Sequence, residues 1–86
     1  MQNWALTNNQ LTRTFEFATF EAAMAFMGDA ARVIAAMDHH PCWTNQYNRI
    51  EVWLCTHDAG NTVTQKDYDL AAALDSLFDS FVSWVS

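Results

Sequence analysis

The sequence predicts an α+β domain: a two-layer sandwich in which an antiparallel β-sheet carries helices packed on one face. Three observations lead there. Residues Leu11 to Phe17 and Tyr47 to His57 alternate apolar and polar side chains with the period of two that a half-buried strand requires. Residues Phe20 to Met37 instead repeat their apolar side chains at helical spacing, and a second helical stretch begins after Thr64. The resulting order of strands, helix, one or two strands, helix leaves room for a single domain over residues 1–86 and contains no repeat or linker.

Trp4-Ala5-Leu6-Thr7 reads as a short partner strand, joined through Asn8-Asn9-Gln10 to the strand Leu11 to Phe17. In that strand Thr12, Thr14 and Glu16 face one way and Leu11, Phe15 and Phe17 the other, with Arg13 as a polar intruder on the apolar face. Thr19 is suited to cap the first helix, whose expected buried stripe is Phe20, Met24, Met27, Ala31 and Ile34. Pro41 forces His40 out of the helical region, so this helix ends just before or within Asp38-His39-His40. Both histidines are therefore expected at a helix terminus.

In the strand Tyr47 to His57, Ile50, Val52 and Leu54 share one face. Arg49, Glu51, Trp53 and Cys55 share the other, which makes Trp53 and Cys55 candidates for burial against a partner chain. Asp58-Ala59-Gly60-Asn61 reads as a turn, and Thr64-Gln65-Lys66-Asp67 has the form of a capping box. The helix it opens carries Leu70, Leu74, Leu77, Phe81 and Val85 along one stripe and leaves Phe78, Val82 and Trp84 beyond it. Such surplus apolar surface on so short a chain predicts a homo-oligomer, a dimer or tetramer.

Composition narrows the function. The chain is 51% hydrophobic with 2 Gly and 1 Pro, which excludes disorder, and its formal charge of −6 with 4 Lys and Arg offers no basic stripe for direct nucleic-acid binding. No run approaches the roughly 20 apolar residues of a membrane-spanning helix. The N-terminal stretch lacks a charged n-region followed by an unbroken apolar core, so the expectation is a soluble, unexported, cytoplasmic protein. Cys42 and Cys55, the two cysteines, are too few for a disulfide framework or a Cys-rich zinc site and read as packed free thiols, with a disulfide as the alternative.

The three histidines fall in two compact segments, His39-His40 before Pro41 and His57 between Thr56 and Asp58. A helix end brought against a strand end would unite them. Histidine titrates near neutrality, so such a cluster suits proton transfer. Two other readings stay open on spacing alone: polar residues bonding to backbone at element ends, and a three-histidine metal site. There is no nucleophile with a local signature and no Gly-rich phosphate loop.

One combination of motifs goes further: Asp38-His39-His40-Pro41-Cys42-Trp43-Thr44-Asn45-Gln46-Tyr47-Asn48, then Leu54-Cys55-Thr56-His57-Asp58-Ala59-Gly60, then Asp67. With Trp4, Arg13, Phe15, Phe17, Phe20, Ala22, Phe26 and Met27 upstream, it resembles the pterin-4a-carbinolamine dehydratase family over nearly the whole chain. The resemblance implies dehydration of a 4a-hydroxytetrahydropterin to the quinonoid dihydropterin, in tetrahydrobiopterin recycling, with no metal and no redox cofactor. It implies His39, His40 and His57 as catalytic residues. Asp38, His39, His40, Cys55, Thr56, His57 and Asp58 would line the pterin site. Asp67 would be an accessory acidic residue, already explained in part by its capping box, and Trp43 either stacks on the pterin or packs as a core or interface aromatic. Two departures stand out. Ala35 occupies a position, four before the first histidine, where the family often has Glu or another polar residue, and the segment from His57 to Asp67 is one residue longer than in animal members. The resemblance also carries two rival readings: an assembly cofactor, since some animal relatives help a homeodomain transcription factor dimerise, and a degenerate homologue that kept only the fold.

Overall fold

The computed structural model describes residues 3–85, with side chains from residue 3 to residue 82. Its elements are β1 (Ala5–Thr7), β2 (Gln10–Glu16), α1 (Phe20–Met37), β3 (Cys42–Gln46), β4 (Arg49–Leu54) and α2 (Gln65–Val85), with a 3₁₀ turn at His57–Ala59. The strands form one antiparallel sheet in the order β1-β2-β4-β3. Both helices pack their buried side chains against the face of β2 and β4 that carries Leu11, Phe15, Ile50, Val52 and Leu54.

The β1–β2 turn consists of Asn8 and Asn9 alone, both with positive φ (52° and 61°), a conformation that Asn tolerates and that matches the twist of a tight hairpin. Gln10 belongs to β2 rather than to the turn. The strand expected from Tyr47 begins at Arg49, because Tyr47 itself takes a left-handed φ of 54° in a two-residue turn that pairs β4 with β3. Asn45 Nδ2 donates to the carbonyls of Tyr47 and Arg49 at 3.0 Å each, and Asn48 Nδ2 donates to Phe17 O at 2.7 Å. These two asparagines hold the turn and tie it to the end of β2.

The helix α1 is capped by Thr19, whose Oγ1 accepts from the Ala22 amide at 3.1 Å. Its buried stripe is Ala23, Phe26, Ala30 and Ile34, which corrects the expected phase. Phe20 is 42% exposed and Ala31 is exposed too. The reason is Phe26: its ring lies 5.1 Å from those of Phe15 and Phe17, and filling the core with that ring turns Phe20 and Ala31 outward. A fully buried Phe truncated to Ala costs about 3–5 kcal/mol, so this contact decides the helix rotation.

On α2, Leu70, Ala71 and Leu74 are buried and Leu77 and Phe81 half-buried. Phe78, expected beyond the core stripe, instead packs 5.0 Å from Phe15 and 5.3 Å from Phe17. The side chains of Trp84 and Val85 lie outside the described residues. Arg13, the intruder of β2, is held over the Phe15 ring, 4.3 Å from its centroid, and pairs with Asp75 of α2, which also accepts from Trp4 Nε1 at 2.8 Å. Cys42 and Cys55 are free thiols; Cys42 is exposed rather than packed. Among the described residues no helix is long and apolar enough to cross a membrane.

Candidate functional site

Three element ends meet at one corner of the sandwich. The first is the end of α1, where Asp38 takes the left-handed conformation (φ 51°, ψ 43°) and its amide returns to Ala35 O, so that His39 and His40 leave the helix axis. The second is the segment after β4, where Thr56 bridges to Thr62 through a 2.8 Å backbone bond and the chain then turns through the 3₁₀ residues His57–Ala59. Gly60, at φ 84°, closes that turn. The third is the start of α2, which carries Lys66 and Asp67.

Between them lies a cleft of about 260 Å³. Its wall includes the seven residues singled out from the sequence, Asp38, His39, His40, Cys55, Thr56, His57 and Asp58, and adds Lys66. Trp43 is not on this wall. It is half-buried in β3, opposite Val52, and packs against the core. Among the described residues no group of three His, Cys, Asp or Glu side chains is arranged to hold a metal ion.

Asp67 stands behind the wall, fully buried, and receives three hydrogen bonds. Oδ2 accepts from the Thr64 amide and from Thr56 Oγ1, both at 2.8 Å, and Oδ1 faces His39 Nε2 at 2.6 Å. The Thr64 bond is half of the expected capping box; the other half is replaced, because Thr64 Oγ1 lies 2.7 Å from Thr56 Oγ1 instead. Since the Thr56 hydroxyl proton goes to Asp67, Thr64 must be the donor to Thr56. Burial pushes the Asp67 carboxyl up, but the bonds from His39, the Thr64 amide and Thr56, with the charge of His39, together outweigh it and hold the carboxyl below its ordinary range. An ionised carboxylate only accepts, so His39 Nε2 carries the proton and Nδ1 is the nitrogen left for chemistry.

His57 is exposed, and its Nδ1 lies 2.6 Å from Asn61 Oδ1. His40 is exposed as well, and Cys55 is half-buried, its Sγ 3.8 Å from Gln10 Nε2. Two participants escaped the sequence reading. Lys66 sits inside the capping box, which gives it no role of its own, and Asn61 has the sequence context of an ordinary turn residue; a side chain four residues after a histidine in a left-handed turn is the available signal.

A sequence model of the family described as pterin 4 alpha carbinolamine dehydratase matches residues 1–77. A relative from Opitutus terrae named "Putative pterin-4-alpha-carbinolamine dehydratase" is 42% identical over 85 residues, spanning 99% of this chain and 82% of the relative. One of the same name from Solibacter usitatus is 50% identical over 74 residues, 86% of this chain and 77% of the relative. Among solved structures, a transcriptional coactivator/pterin dehydratase from Brucella melitensis superposes with a TM-score of 0.84 at 37% identity, covering 90% of this chain and 83% of that one. A pterin dehydratase-like protein described as a RuBisCO assembly factor of the alpha-carboxysome superposes with a TM-score of 0.71 at 18% identity, covering 87% and 86%, a likeness of fold alone.

Proposed function

The chain belongs to the pterin-4a-carbinolamine dehydratase family, and we propose that it removes water from a 4a-hydroxytetrahydropterin by histidine acid/base catalysis. The observation that carries this reading is that His39 and His57 line one cleft, each with one ring nitrogen committed to an acceptor and the other left for proton exchange. The reaction requires the C4a–O bond to break with a proton delivered to the departing hydroxyl, while a proton leaves a ring nitrogen and its electron pair forms the new double bond. One donor and one acceptor suffice, and positioned groups of this kind contribute about 10²- to 10⁴-fold each.

We assign the roles from the hydrogen-bond partners. The Asp67 carboxylate behind His39 accommodates a protonated imidazole, so His39 is the proton donor. Asn61 Oδ1 accepts from His57 Nδ1 and leaves Nε2 as the ring nitrogen free for proton exchange, so we assign His57 as the acceptor. His40, exposed on the same wall, holds the pterin edge together with Asp38 and Asp58. The cycle closes when the proton gained by His57 returns to His39 through water, and neither a metal nor a redox cofactor takes part. Two free thiols fit a reducing compartment, the cytoplasm.

We also propose a homo-oligomer. β3 is an edge strand, and the outward sheet face bears Trp53 beside Cys42, a combination that a second copy would cover. An assay of the purified protein with a 4a-hydroxytetrahydropterin tests the catalytic reading: accelerated water loss supports it, and a rate equal to the uncatalysed one leaves a purely assembling role.

A further inference from the structure

The loop that carries His57 also carries the group that orients it. Gly60 and Asn61 are consecutive left-handed residues (φ 84° and 60°), and this pair reverses the chain just after the 3₁₀ turn. Gly60 N–H donates to His57 O at 3.0 Å and Asn61 N–H to Thr56 O at 3.1 Å, which brings the Asn61 side chain back over the ring four residues earlier. There its Oδ1 lies 2.6 Å from His57 Nδ1. A carboxamide oxygen has no proton to give, so Nδ1 must be the donor.

We propose that Asn61 is a positioning residue that holds His57 as the Nδ1–H tautomer and thereby presents an unprotonated Nε2 to the substrate. The inference rests on the acid/base reading above, in which His57 accepts the proton. Without Asn61 the ring would drift toward the Nε2–H tautomer that an unrestrained histidine side chain prefers, and the nitrogen not bonded to Asn61 would already carry a proton. The bond contributes little to folding, because both residues are exposed and water replaces it readily. Asn61 is also conformationally apt: with Gly it belongs to the few residues that tolerate the left-handed region. Glycine and aspartate can therefore replace it without disturbing the turn.

The test uses two variants and two readouts. Nitrogen chemical shifts of the His57 ring, measured on the whole protein above its titration, should report Nδ1–H in the native chain and a swing toward Nε2–H in Asn61→Gly. The same variant should lose at least about fivefold in kcat with KM and unfolding midpoint unchanged, as expected when only the reacting tautomer is depleted. Asn61→Asp, which restores an acceptor and adds a charge that favours imidazolium, should recover the Nδ1–H tautomer and move the His57 limb of the pH profile to higher pH. A native ring already in the Nε2–H form, or a tautomer that Asn61→Gly leaves unchanged, would overturn the proposal. The shifts are read without turnover, so a protein inactive as a dehydratase still reveals whether Asn61 sets the tautomer. An active protein whose kcat and pH profile ignore both substitutions would refute the catalytic consequence.

Discussion

His39 and Asp67, 28 residues apart in sequence, meet with Nε2 2.6 Å from Oδ1 behind the wall of the cleft. The carboxylate is fully buried, and its other oxygen, Oδ2, accepts from both the Thr64 amide and the Thr56 hydroxyl. One residue thus joins the end of α1, the segment after β4 and the start of α2, and the same contact that closes the corner sets the tautomer of a candidate catalytic histidine.

Replacing Asp67 separates these two duties. Asp67→Asn keeps an oxygen for Thr56 and Thr64 but turns a donor toward His39, which forces the opposite tautomer; turnover should fall at least about tenfold with the fold retained. Asp67→Ala leaves buried donors without partners and should cost about 2–4 kcal/mol in denaturant unfolding. Equal turnover in Asp67→Asn and the native chain would remove Asp67 from the mechanism.

The lowered carboxyl also sets a direction with pH. A group held below its ordinary value in the folded state contributes stability that is complete above that ordinary value and disappears as pH falls through the lowered one. The stability advantage of the native chain over Asp67→Asn should therefore shrink on acidification, as measured by urea unfolding at a series of acid pH values. An advantage that grows toward low pH would contradict the assigned shift.

The three histidines should differ in stability as well as in rate. His39→Ala and His57→Ala should each lower turnover at least about tenfold, whereas His40→Ala, which removes a contact to the pterin edge, should act mainly by raising KM. His39→Ala alone should also destabilise the fold, because it removes a partner of a buried carboxylate, whereas His40 and His57 are exposed. Chelator treatment should leave turnover and thermal stability unchanged; zinc that tracks with activity would support the metal reading instead.

How much of this is legible in the sequence depends on which signal each residue carries. β2 and β4 alternate because one of their faces lies on the core, but β3 offers Trp43 as its single half-buried side chain, so an edge strand of polar residues leaves no periodic trace. The phase of α1 is ambiguous in one dimension because Phe20 and Phe26 are equally apolar, and only the rings of Phe15 and Phe17 select between them. The histidine segments stand out through their motifs. The groups that orient them do not: Asp67 already has a local explanation as a cap, and the Asn61 contact depends on two left-handed residues whose effect exists only in the folded turn.

Packing yields a separate prediction. Arg13 and Asp75 are largely buried, and Asp75 also holds Trp4, so Arg13→Ala should cost about 2–4 kcal/mol by leaving that carboxylate short of its cation. Phe78→Asp should unfold the chain rather than dissociate it, because its ring sits among Phe15, Phe17 and Phe26. Trp53→Asp, on the outward sheet face, is the substitution that should shift the assembly toward smaller species. Light scattering on the native chain should give a multiple of 9.8 kDa, and the monomer mass at micromolar concentration would refute the oligomer.

The central claim is that this cleft dehydrates a 4a-hydroxytetrahydropterin through His39 and His57. Its most direct test is the rate of water loss from that substrate, generated in situ and followed by absorbance, with the purified native chain and with the His39→Ala/His57→Ala double variant in parallel. The native chain should accelerate the reaction, and the double variant, which lacks both proposed proton-transfer groups, should stay within a few-fold of the uncatalysed rate. Equal acceleration by the two proteins, or none by the native chain, would contradict the claim.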